Sequence, residues 1–277
     1  MIQKIFYLNG SFVPERQATV SVTDLGLLRN YGVFEYFRTY NKKPFRLEDH
    51  LNRFFKSAKA LNLKSPYSRY QLRTIIFKLI KKNHHLKELS FRMVLTGGNT
   101  RDGKTSSKPN FFIIVGEPHR YPKKAYQQGI KLLTLNYQRE FPEIKSLNYT
   151  LAVANWNELI KQDGLEYLYV SKNKVYEAST SNFFIVNRNT LITPEQKVLD
   201  GVTKKVVIEL AQKNHIKVKQ KELTLTRVLA ADEAFITATD KKILPVIKID
   251  NYVIGNGKVG KITRKLMNLF ENYTKNW

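Results

Sequence analysis

The stretch that decides the fold class reads Tyr167-Leu-Tyr-Val-Ser-Lys-Asn-Lys-Val-Tyr-Glu177-Ala-Ser-Thr-Ser-Asn182-Phe-Phe-Ile-Val186. Its aromatic and β-branched residues predict strands at Tyr167–Ser171 and Asn182–Val186, and a lone acid, Glu177, precedes the second strand. Apolar residues at helical spacing then predict a helix from Thr203 to Lys213. Strands and helices therefore alternate in this half of the chain, which indicates a mixed α/β fold.

The same alternation extends along the rest of the chain. The second half also has predicted strands at Ile130–Leu135, Glu233–Thr237 and Ile243–Ile249, and helices at Leu151–Lys161 and Ile262–Asn272. The first half has predicted strands at Ile5–Asn9, Val33–Tyr40, Leu89–Leu95 and Phe111–Val115, and helices at Arg46–Leu61 and Tyr70–Ile80. Prolines and charges in residues 116–124 are typical of an exposed connection. We therefore predict a small N-terminal α/β domain (1–117), a linker (118–124) and a larger C-terminal domain (125–277).

The composition excludes several classes of protein. Of 277 residues, 42% are hydrophobic and none is cysteine, so a sizeable core is available while disulfides, thiolate metal sites and cysteine nucleophiles are not. The five histidines show no paired spacing suited to a metal, and we predict no metal site. Met1 to Leu8 lacks the features of a signal peptide, and no run approaches ~20 apolar residues. We therefore expect a cytoplasmic protein without a membrane segment.

The formal net charge of +24 at pH 7 raises the question of nucleic acid. The 47 Lys and Arg are nevertheless spread along the chain, and the densest short runs are pairs such as Lys81-Lys82. No zinc-finger spacing, aromatic RNA-binding strand or heptad zipper is present. We expect no specific nucleic acid, although the positive field of the surface would attract small anions.

Three segments of the second half combine groups suited to an anion or to a carbonyl. Gly201-Val-Thr203 begins a predicted helix, where backbone N–H groups and the Thr203 hydroxyl form an anion site. Thr237-Ala-Thr239 leaves a predicted strand at a point where the backbone can approach an oxyanion. Ile144-Lys145-Ser-Leu-Asn148-Tyr149 places one lysine at the start of a predicted helix. Taken singly, these features are more typical of a helix cap, a polar turn and a surface lysine.

Together the segments resemble the class IV pyridoxal-phosphate aminotransferases, the fold type IV group of branched-chain transaminases, D-amino-acid transaminases and aminodeoxychorismate lyases. The resemblance spans nearly the whole chain. Its most specific motifs, in the family's order and spacing, are Lys145-Ser-Leu-Asn148, Glu177-Ala-Ser-Thr-Ser-Asn182-Phe-Phe and Gly201-Val-Thr203. The first half adds Asp24-Leu-Gly26, Tyr31-Gly-Val-Phe34-Glu35 and His50-Leu-Asn-Arg53-Phe. The resemblance implies a two-domain enzyme with the cofactor in the interdomain cleft, and a homodimer in which a loop near Arg29 reaches the partner subunit.

The resemblance also implies the role of each cofactor-binding residue. Lys145 would hold pyridoxal 5'-phosphate as a Schiff base and shuttle a proton, which requires a pKa below the ~10.4 of a solvated lysine. Glu177 would face the pyridine nitrogen and keep it protonated, so that the ring accepts electrons from the substrate carbon. Tyr149 matches the tyrosine that binds the phenolic oxygen of the ring. The phosphate would be held by Arg53, Val202, Thr203 and Thr239.

The predicted position of Arg53 conflicts with helical periodicity. On the helix Arg46–Leu61 it falls roughly opposite the apolar stripe, so periodicity alone predicts a solvated side chain. The two interpretations agree only if this helix lies between the core of the first domain and the cofactor.

The arginine that grips the substrate carboxylate is not in its most common place. In the usual D-amino-acid pattern an arginine follows the strand threonine, where this chain has Thr96-Gly97-Gly98. Phe34 stands where those enzymes have a tyrosine and resembles the branched-chain pattern instead. A less common D-transaminase variant resembles this chain in having arginines at the positions of Arg29 and Arg92. We therefore expect Arg29, Phe34 and Arg92 to bind substrate, with the two arginines on carboxylates.

These observations predict a pyridoxal-phosphate-dependent transaminase. It would move an amino group between an amino acid and a 2-keto acid such as 2-oxoglutarate or pyruvate, with D-amino acids favoured and branched-chain L-amino acids as a second possibility. One alternative is an aminodeoxychorismate lyase, which would release pyruvate with the same Lys145 and Glu177. A more distant alternative is a basic nucleic-acid-binding protein on a degenerate enzyme fold.

Overall fold

The computed structural model describes residues 3–106 and 108–277. Three positions lie outside the described residues, namely 1, 2 and 107. All three belong to the predicted N-terminal domain, and the first two also belong to the segment Met1 to Leu8, which lacks the features of a signal peptide. The chain divides into two compact units. The first holds the described residues up to His119 together with Ile144–Asn148 and Trp277, and the second holds Arg120–Glu143 and Tyr149–Asn276.

The first unit is built on one antiparallel sheet. Within the described residues its strands are β1 (Ile5–Leu8), β2 (Ser11–Pro14), β3 (Gly32–Tyr40), β4 (Lys43–Pro44), β5 (Ser90–Thr96) and β6 (Phe111–Gly116). Its helices are α1 (Leu25–Arg29), α2 (Leu47–Ala60) and α3 (Arg69–Lys82). The strand order is β2-β1-β6-β5-β3-β4. The sheet thus places β3 and β5, which carry the predicted substrate residues Phe34 and Arg92, side by side.

The core of the first unit lies between this sheet and the helices α2 and α3. Leu51 and Phe54 of α2 and Ile76 of α3 are fully buried. They pack with Phe37 and Phe91 of the sheet, whose rings stack with centroids 4.9 Å apart. Because side chains alternate along a strand, the odd-numbered residues of β3 face this core and the even-numbered ones face the opposite side of the sheet.

The second unit is built on a larger mixed sheet. Its strands are β7 (Ile130–Asn136), β8 (Glu166–Ser171), β9 (Lys174–Ala178), β10 (Asn182–Asn187), β11 (Thr190–Thr193), β12 (Lys217–Gln220), β13 (Leu223–Thr224), β14 (Glu233–Ala238), β15 (Lys242–Ile249) and β16 (Tyr252–Val253). The helices are α4 (Lys123–Gln128), α5 (Thr150–Ala154), α6 (Trp156–Lys161), α7 (Val202–Lys213), α8 (Leu225–Leu229) and α9 (Lys261–Lys275). The strand order is β12-β11-β10-β14-β15-β7-β8-β9-β13, with β16 paired to β15. Parallel pairs join β7 to β15 and to β8, and β11 to β12.

The mixed α/β fold predicted from the sequence is confirmed. The predicted single helix at Leu151–Lys161 is wrong, because the chain forms the two short helices α5 and α6 with a break at Asn155, whose backbone (φ −96°, ψ 9°) leaves the helical range. Short elements such as β4, β13 and α8 escape prediction, since too few residues repeat to show a period. In residues 3–106 and 108–277 no helix is long and apolar enough to cross a membrane.

Candidate active site

Lys145 lies on a short segment, residues 144–148, that pairs with the beginning of β3. The N–H of Phe34 donates to the carbonyl of Lys145 at 2.9 Å, and the N–H of Leu147 donates to the carbonyl of Gly32 at 3.1 Å. The strand β4 pairs only with the last residues of β3, which leaves the beginning of that edge to the lysine segment. Gly32 allows the close approach, because a Cβ atom at this position would lie 2.6 Å from Cδ1 of Leu147.

These hydrogen bonds group Lys145 with the first unit, whereas the sequence pattern places it in a domain of residues 125–277. The reason is that a pairing between strands far apart in sequence leaves no trace in local composition. The backbone N–H of Lys145 also donates to Oγ of Ser57 on α2 at 3.2 Å. Its Nζ lies 4.5 Å from the centroid of the Phe34 ring. The half-buried amine is thus held next to an aromatic side chain.

Arg92 approaches the same ring of Phe34. Its Cζ atom lies 5.4 Å from the Phe34 centroid and 5.8 Å from that of Tyr36. Both distances are within the usual range for a cation facing an aromatic ring. Nζ of Lys145 lies 4.5 Å and Cζ of Arg92 lies 5.4 Å from the same centroid, so these two atoms are at most about 10 Å apart. The structure therefore brings together Phe34, Arg92 and Lys145.

Arg29 does not join this group. It is the last residue of α1, its side chain is exposed, and its Nη1 donates to the carbonyl of Leu28 at 2.8 Å. Its nearest glycine is Gly103, at which a Cβ atom would lie 3.5 Å from Nη2 of Arg29. Within the described residues, the two arginines predicted to bind carboxylates thus have different surroundings.

The missing arginine after Thr96 has a steric explanation. A Cβ atom at Gly97 would lie 2.4 Å from the ring of Tyr31, whose hydroxyl is fixed by a 2.7 Å hydrogen bond to the carbonyl of Leu61. Gly98 has φ +78°, and a Cβ atom there would lie 1.8 Å from the carbonyl oxygen of Lys108. The turn after β5 therefore has no room for a side chain at either glycine.

Arg53 is buried, so the solvated position that helical periodicity alone predicts is wrong. Its guanidinium pairs with the fully buried carboxylate of Glu35 on β3 through Nε to Oε2 at 2.9 Å and Nη2 to Oε1 at 2.5 Å. His50 lies one turn earlier on α2, and its Nδ1 is 3.0 Å from Oε1 of Glu35. Burial would raise the pKa of Glu35, but the charge of Arg53 and the hydrogen bonds from Arg53 and His50 prevail and hold the pKa well below its ordinary value. The charge pair thus compensates for the burial of an arginine among apolar residues.

In the second unit, Glu177 lies near the end of β9 and is buried by polar neighbours. Its Oε1 accepts a hydrogen bond from Nη1 of Arg139 at 2.8 Å. Its Oε2 accepts from the N–H of Leu199 at 2.9 Å and, more weakly, from Nδ2 of Asn182 at 3.4 Å. The carboxylate of Glu177 thus accepts from three donors, one of which is the positively charged Arg139. The arrangement therefore holds Glu177 as an oriented hydrogen-bond acceptor.

Asn182 links Glu177 to the beginning of α7. Its Nδ2 also donates to the carbonyl of Leu199 at 2.8 Å, and a Cβ atom on Gly201 would lie 1.9 Å from its Oδ1. Only glycine fits at position 201 for that reason. Gly201 is the N-cap residue of α7 and offers no side-chain cap. The following N–H groups, those of Val202 and Thr203, have no acceptor within the helix and are suited to an anion.

The turn after β14 carries the other predicted phosphate ligand, Thr239, which is half-buried. The next residues, Asp240 and Lys241, are tied into the unit: Nζ of Lys241 lies 3.1 Å from Oε1 of the buried Glu166 and donates to Oγ1 of Thr180 at 3.0 Å. Lys241 thereby links the turn to the loop that follows Glu177.

Tyr149, the predicted ligand of the phenolic oxygen, is half-buried and directly precedes α5. Burial and, to a smaller extent, the nearby Tyr149 raise the pKa of Tyr169. Tyr149 and Tyr169 are therefore neighbours within the second unit, and the phenol of Tyr149 carries an O–H group that can donate a hydrogen bond.

Sequence reasoning missed the residues that hold these groups in place. Glu35 and Asn182 belong to the family motifs without a role predicted for either, and Arg139 carries no signal. The sequence does contain one indication that Glu35 is buried: it alternates with the apolar Val33 and Phe37 along β3 and so lies on the same face of the strand. Such an acid predicts a buried partner.

The donor set fits pyridoxal phosphate. An aldehyde requires an amine, the pyridine nitrogen requires an acid, and the phosphate requires N–H and hydroxyl donors. Lys145 carries an amine, Glu177 carries an acid, and the first turn of α7 has N–H groups without an acceptor in the helix. Among the described residues, the buried Oγ1 of Thr237, close to Thr239 in sequence, has no hydrogen-bond partner. A buried hydroxyl without a partner is typical of a position that a ligand completes.

Comparisons with known proteins agree with this chemistry. The family model for class IV aminotransferases matches residues 32–249. The chain is 36% identical to a protein of Methanocaldococcus jannaschii named "Putative branched-chain-amino-acid aminotransferase", over 98% of this chain and 96% of that protein. It is 32% identical to the D-alanine aminotransferase of Listeria monocytogenes, over 95% and 93%. The crystal structure of a T.th. branched-chain amino acid aminotransferase with pyridoxamine 5'-phosphate superposes with a TM-score of 0.91 at 26% identity, covering 100% of this chain and 95% of that one.

The match to the family model covers well over half of the chain, and the identities extend over nearly its whole length. The structural neighbours are aminotransferases of fold type IV. Enzymes of this family are transferases that use pyridoxal phosphate. The chain belongs to the class IV aminotransferase family.

Proposed function

We propose that this chain transfers an amino group between a small amino acid and a 2-keto acid, with Lys145 as the residue that moves the proton. The observation that carries the proposal is the placement of the Lys145 amine and the Arg92 guanidinium on one ring, that of Phe34. An amino acid has its carboxylate next to the carbon that reacts. A site for it therefore needs a cation near the amine, and arginine binds carboxylates through paired donors.

When bound, pyridoxal phosphate supplies an electron sink for the substrate carbon. Lys145 Nζ would take the proton from that carbon and pass it to the carbon of the cofactor that receives the amino group, which requires a neutral amine. Glu177, held by Arg139 and Leu199, is the proposed acceptor for the hydrogen of the pyridine nitrogen. Tyr149 is the proposed donor to the phenolic oxygen.

The phosphate of the cofactor has proposed ligands in each unit. In the first unit the ligand is Arg53, whose positive charge suits a phosphate. In the second unit they are the N–H groups at the start of α7 and the hydroxyls of Thr203 and Thr239, with Val202 contributing its backbone. These assignments follow the family motifs and rest on the donor chemistry of the described residues.

We propose D-amino acids as the preferred donors and 2-oxoglutarate or pyruvate as acceptors. Several relatives are named D-alanine aminotransferase, and Arg29 and Arg92 are the arginines available for carboxylates. Branched-chain L-amino acids are the second candidate, because Phe34 and the Methanocaldococcus jannaschii relative favour them. The family and these relatives do not favour the lyase or the nucleic-acid alternative.

The first experiment is an absorbance spectrum of the purified protein with a panel of D- and L-amino acids. We expect a yellow protein whose absorbance changes with amino donors, and faster change with D-alanine than with L-leucine. Borohydride reduction is expected to fix the cofactor on the peptide that contains Lys145, and Lys145→Ala to abolish this adduct, while Lys174→Ala, at an exposed ion pair, retains it. A colourless protein that binds DNA in a salt-sensitive way would refute the enzyme interpretation. Pyruvate release without amino transfer would favour the lyase.

The role of Arg92 is tested separately. Loss of a charge-assisted pair of hydrogen bonds costs about 1.5 to 3 kcal/mol, so Arg92→Ala is expected to raise KM for the keto acid roughly 10- to 100-fold. Arg188→Ala, at an exposed arginine of the second unit, is the matched control and is expected to leave KM unchanged. An unchanged KM in Arg92→Ala would remove Arg92 from the substrate site.

We propose a homodimer as the working form of the enzyme. The segment before α1 exposes Val22, with 76% of its surface accessible, and α1 itself exposes Leu27, with 65%, two residues before Arg29. Apolar side chains exposed together are typical of a contact with another chain. Light scattering is expected to give twice the mass of the chain, and Leu27→Asp to shift it toward the monomer. A fully active monomer would contradict this proposal.

A further inference from the structure

We infer that Glu35 is a positioning residue for the phosphate of the cofactor: it holds the guanidinium of Arg53 in one orientation, and His50 holds Glu35. The inference rests on the proposed role of Arg53 as a phosphate ligand. It assigns a function to a buried acid and a buried imidazole that the catalytic steps above do not use.

The geometry fixes the plane of the guanidinium. Both oxygens of Glu35 are engaged by Arg53, one by Nε at 2.9 Å and the other by Nη2 at 2.5 Å. A guanidinium carries its five N–H groups in a rigid planar fork, so two bonds along one edge set the direction of the whole fork. Glu35 in turn lies on the central part of β3 and is fully buried, so it does not follow the motion of an exposed loop.

His50 holds the same carboxylate through Oε1, the oxygen that Nη2 of Arg53 also contacts. It is three residues before Arg53 on α2, which places both side chains on the same face of the helix toward β3. Burial lowers the pKa of His50. Glu35 acts in the opposite direction and raises it, whereas Arg53 and the Lys145 amine lower it further, and the net pKa is below its ordinary value. The ring is therefore neutral near pH 7 and donates through Nδ1 to Oε1 of Glu35 at 3.0 Å. The N–H of Tyr36 donates to the same oxygen at 2.9 Å.

An acid on the core-facing side of a strand has to be matched by a charge, so the pair also stabilises the fold. A purely structural pair and a positioning pair make different predictions. A structural pair affects the free energy of unfolding and leaves ligand selectivity unchanged. A positioning pair changes the affinity for ligands that carry a phosphate and leaves the affinity for the same ring without a phosphate unchanged.

The experiment therefore compares two ligands of the cofactor-free protein, pyridoxamine 5'-phosphate and pyridoxamine, by equilibrium dialysis. The variants are Glu35→Gln, Arg53→Met and the double variant, with Glu88→Gln as the matched control. Glu88 is also a carboxylate with two hydrogen bonds next to β3, to Oγ1 of Thr39 and N of Asn41. Glu35→Gln keeps the shape of the side chain and loses its charge.

We expect Glu35→Gln to lower the affinity for pyridoxamine 5'-phosphate by at least about tenfold and the affinity for pyridoxamine by less than about twofold. Glu88→Gln is expected to change neither affinity. The double variant is expected to bind no more weakly than Arg53→Met, because Glu35 acts through Arg53. His50→Gln, which leaves both charges in place, is expected to give a smaller loss of about two- to fivefold, again for the phosphate ligand alone. It serves as the second variant should Glu35→Gln fail to fold.

Equal losses for both ligands, or full additivity in the double variant, would overturn the inference. If Arg53→Met itself leaves the selectivity for phosphate unchanged, the proposed phosphate role of Arg53 fails and the inference fails with it. A phosphate-specific loss in Arg53→Met without one in Glu35→Gln and His50→Gln would remove only the positioning role.

Discussion

Replacing Lys241 by methionine removes one charge from a buried ion pair in the second unit. The Nζ atom of Lys241 lies 3.1 Å from Oε1 of Glu166, and the two side chains are only 5% and 4% exposed. Burial would lower the pKa of Lys241, but the charges of Glu166 and Asp240 prevail and raise it, so the lysine is charged at neutral pH. After the substitution Glu166 is a buried carboxylate without its cation.

Removal of one partner from a buried pair costs about 3 to 5 kcal/mol. The lower end applies here, because Glu166 still accepts hydrogen bonds from N of Thr180 and Oγ of Ser181, both at 2.7 Å. We therefore expect Lys241→Met to lower the free energy of unfolding by about 3 kcal/mol. Adding Glu166→Gln, which removes the remaining charge and keeps an acceptor oxygen, is expected to recover about half of the loss or more.

Urea denaturation of the cofactor-free protein, followed by circular dichroism, measures both variants. The control is Lys174→Met, which breaks the exposed pair between Lys174 and Glu222 and is expected to leave the free energy of unfolding nearly unchanged, because solvent screens this pair. A loss below about 1 kcal/mol in Lys241→Met would refute this reasoning, as would a double variant that is less stable than Lys241→Met alone. Lys241 also links the turn after β14 to the loop after Glu177, so the variant is expected to bind pyridoxal phosphate more weakly.

Three further predictions concern single positions. Gly201→Ala is expected to lower the affinity for pyridoxal phosphate at least about tenfold in equilibrium dialysis, because the added Cβ would lie 1.9 Å from Oδ1 of Asn182 and displace the start of α7. An unchanged affinity would contradict the proposed anion site. Gly97→Arg is expected to lower the melting temperature without lowering KM for D-alanine, because its Cβ would lie 2.4 Å from the Tyr31 ring. The folded state holds the pKa of Glu35 below its ordinary value of about 4.5. The stability that ionised Glu35 contributes is therefore expected to be lost as the pH falls from about 4.5 toward the lower pKa of the folded state, and the free energy of unfolding decreases over this range. Glu35→Gln removes that contribution, so its acid denaturation curve is expected to be flatter than that of the unaltered chain, and an equally steep curve would contradict the assignment.

Long elements with a clear period are predictable from the sequence. The strand predicted at Val33–Tyr40 is β3, and the helix predicted at Arg46–Leu61 is α2, each within one residue at either end. Both carry many apolar residues at the expected spacing, so local pattern and tertiary packing agree. The helix predicted at Leu151–Lys161 is broken: its apolar residues Val153, Trp156 and Ile160 are exposed, and of these eleven residues only Leu159 is buried, which is too little to hold one continuous helix against the sheet.

The sequence suggests candidate site residues by their type but does not predict their contacts. Lys145 and Glu177 are candidates because each is a lone charged residue in a distinctive motif. The burial of Arg53 is not, because periodicity treats each helix by itself and its partner Glu35 lies on a strand 18 residues earlier. The exclusion of a side chain at Gly97 likewise depends on the ring of Tyr31, which is distant in sequence. Pairings across elements have to be measured in three dimensions.

The short segment Ile144–Asn148 has a consequence for how such enzymes exchange parts. The chain leaves the second unit to place this segment on the edge of β3 and then returns, so the boundary near His119 is not a point at which the two units separate cleanly. A hybrid gene joined near His119 would pair β3 of one enzyme with the Lys145 segment of another. The hybrid would fold correctly only if the enzyme that supplies β3 had a glycine at the position of Gly32. Inheritance of Lys145 is thereby tied to a partner sequence more than a hundred residues upstream.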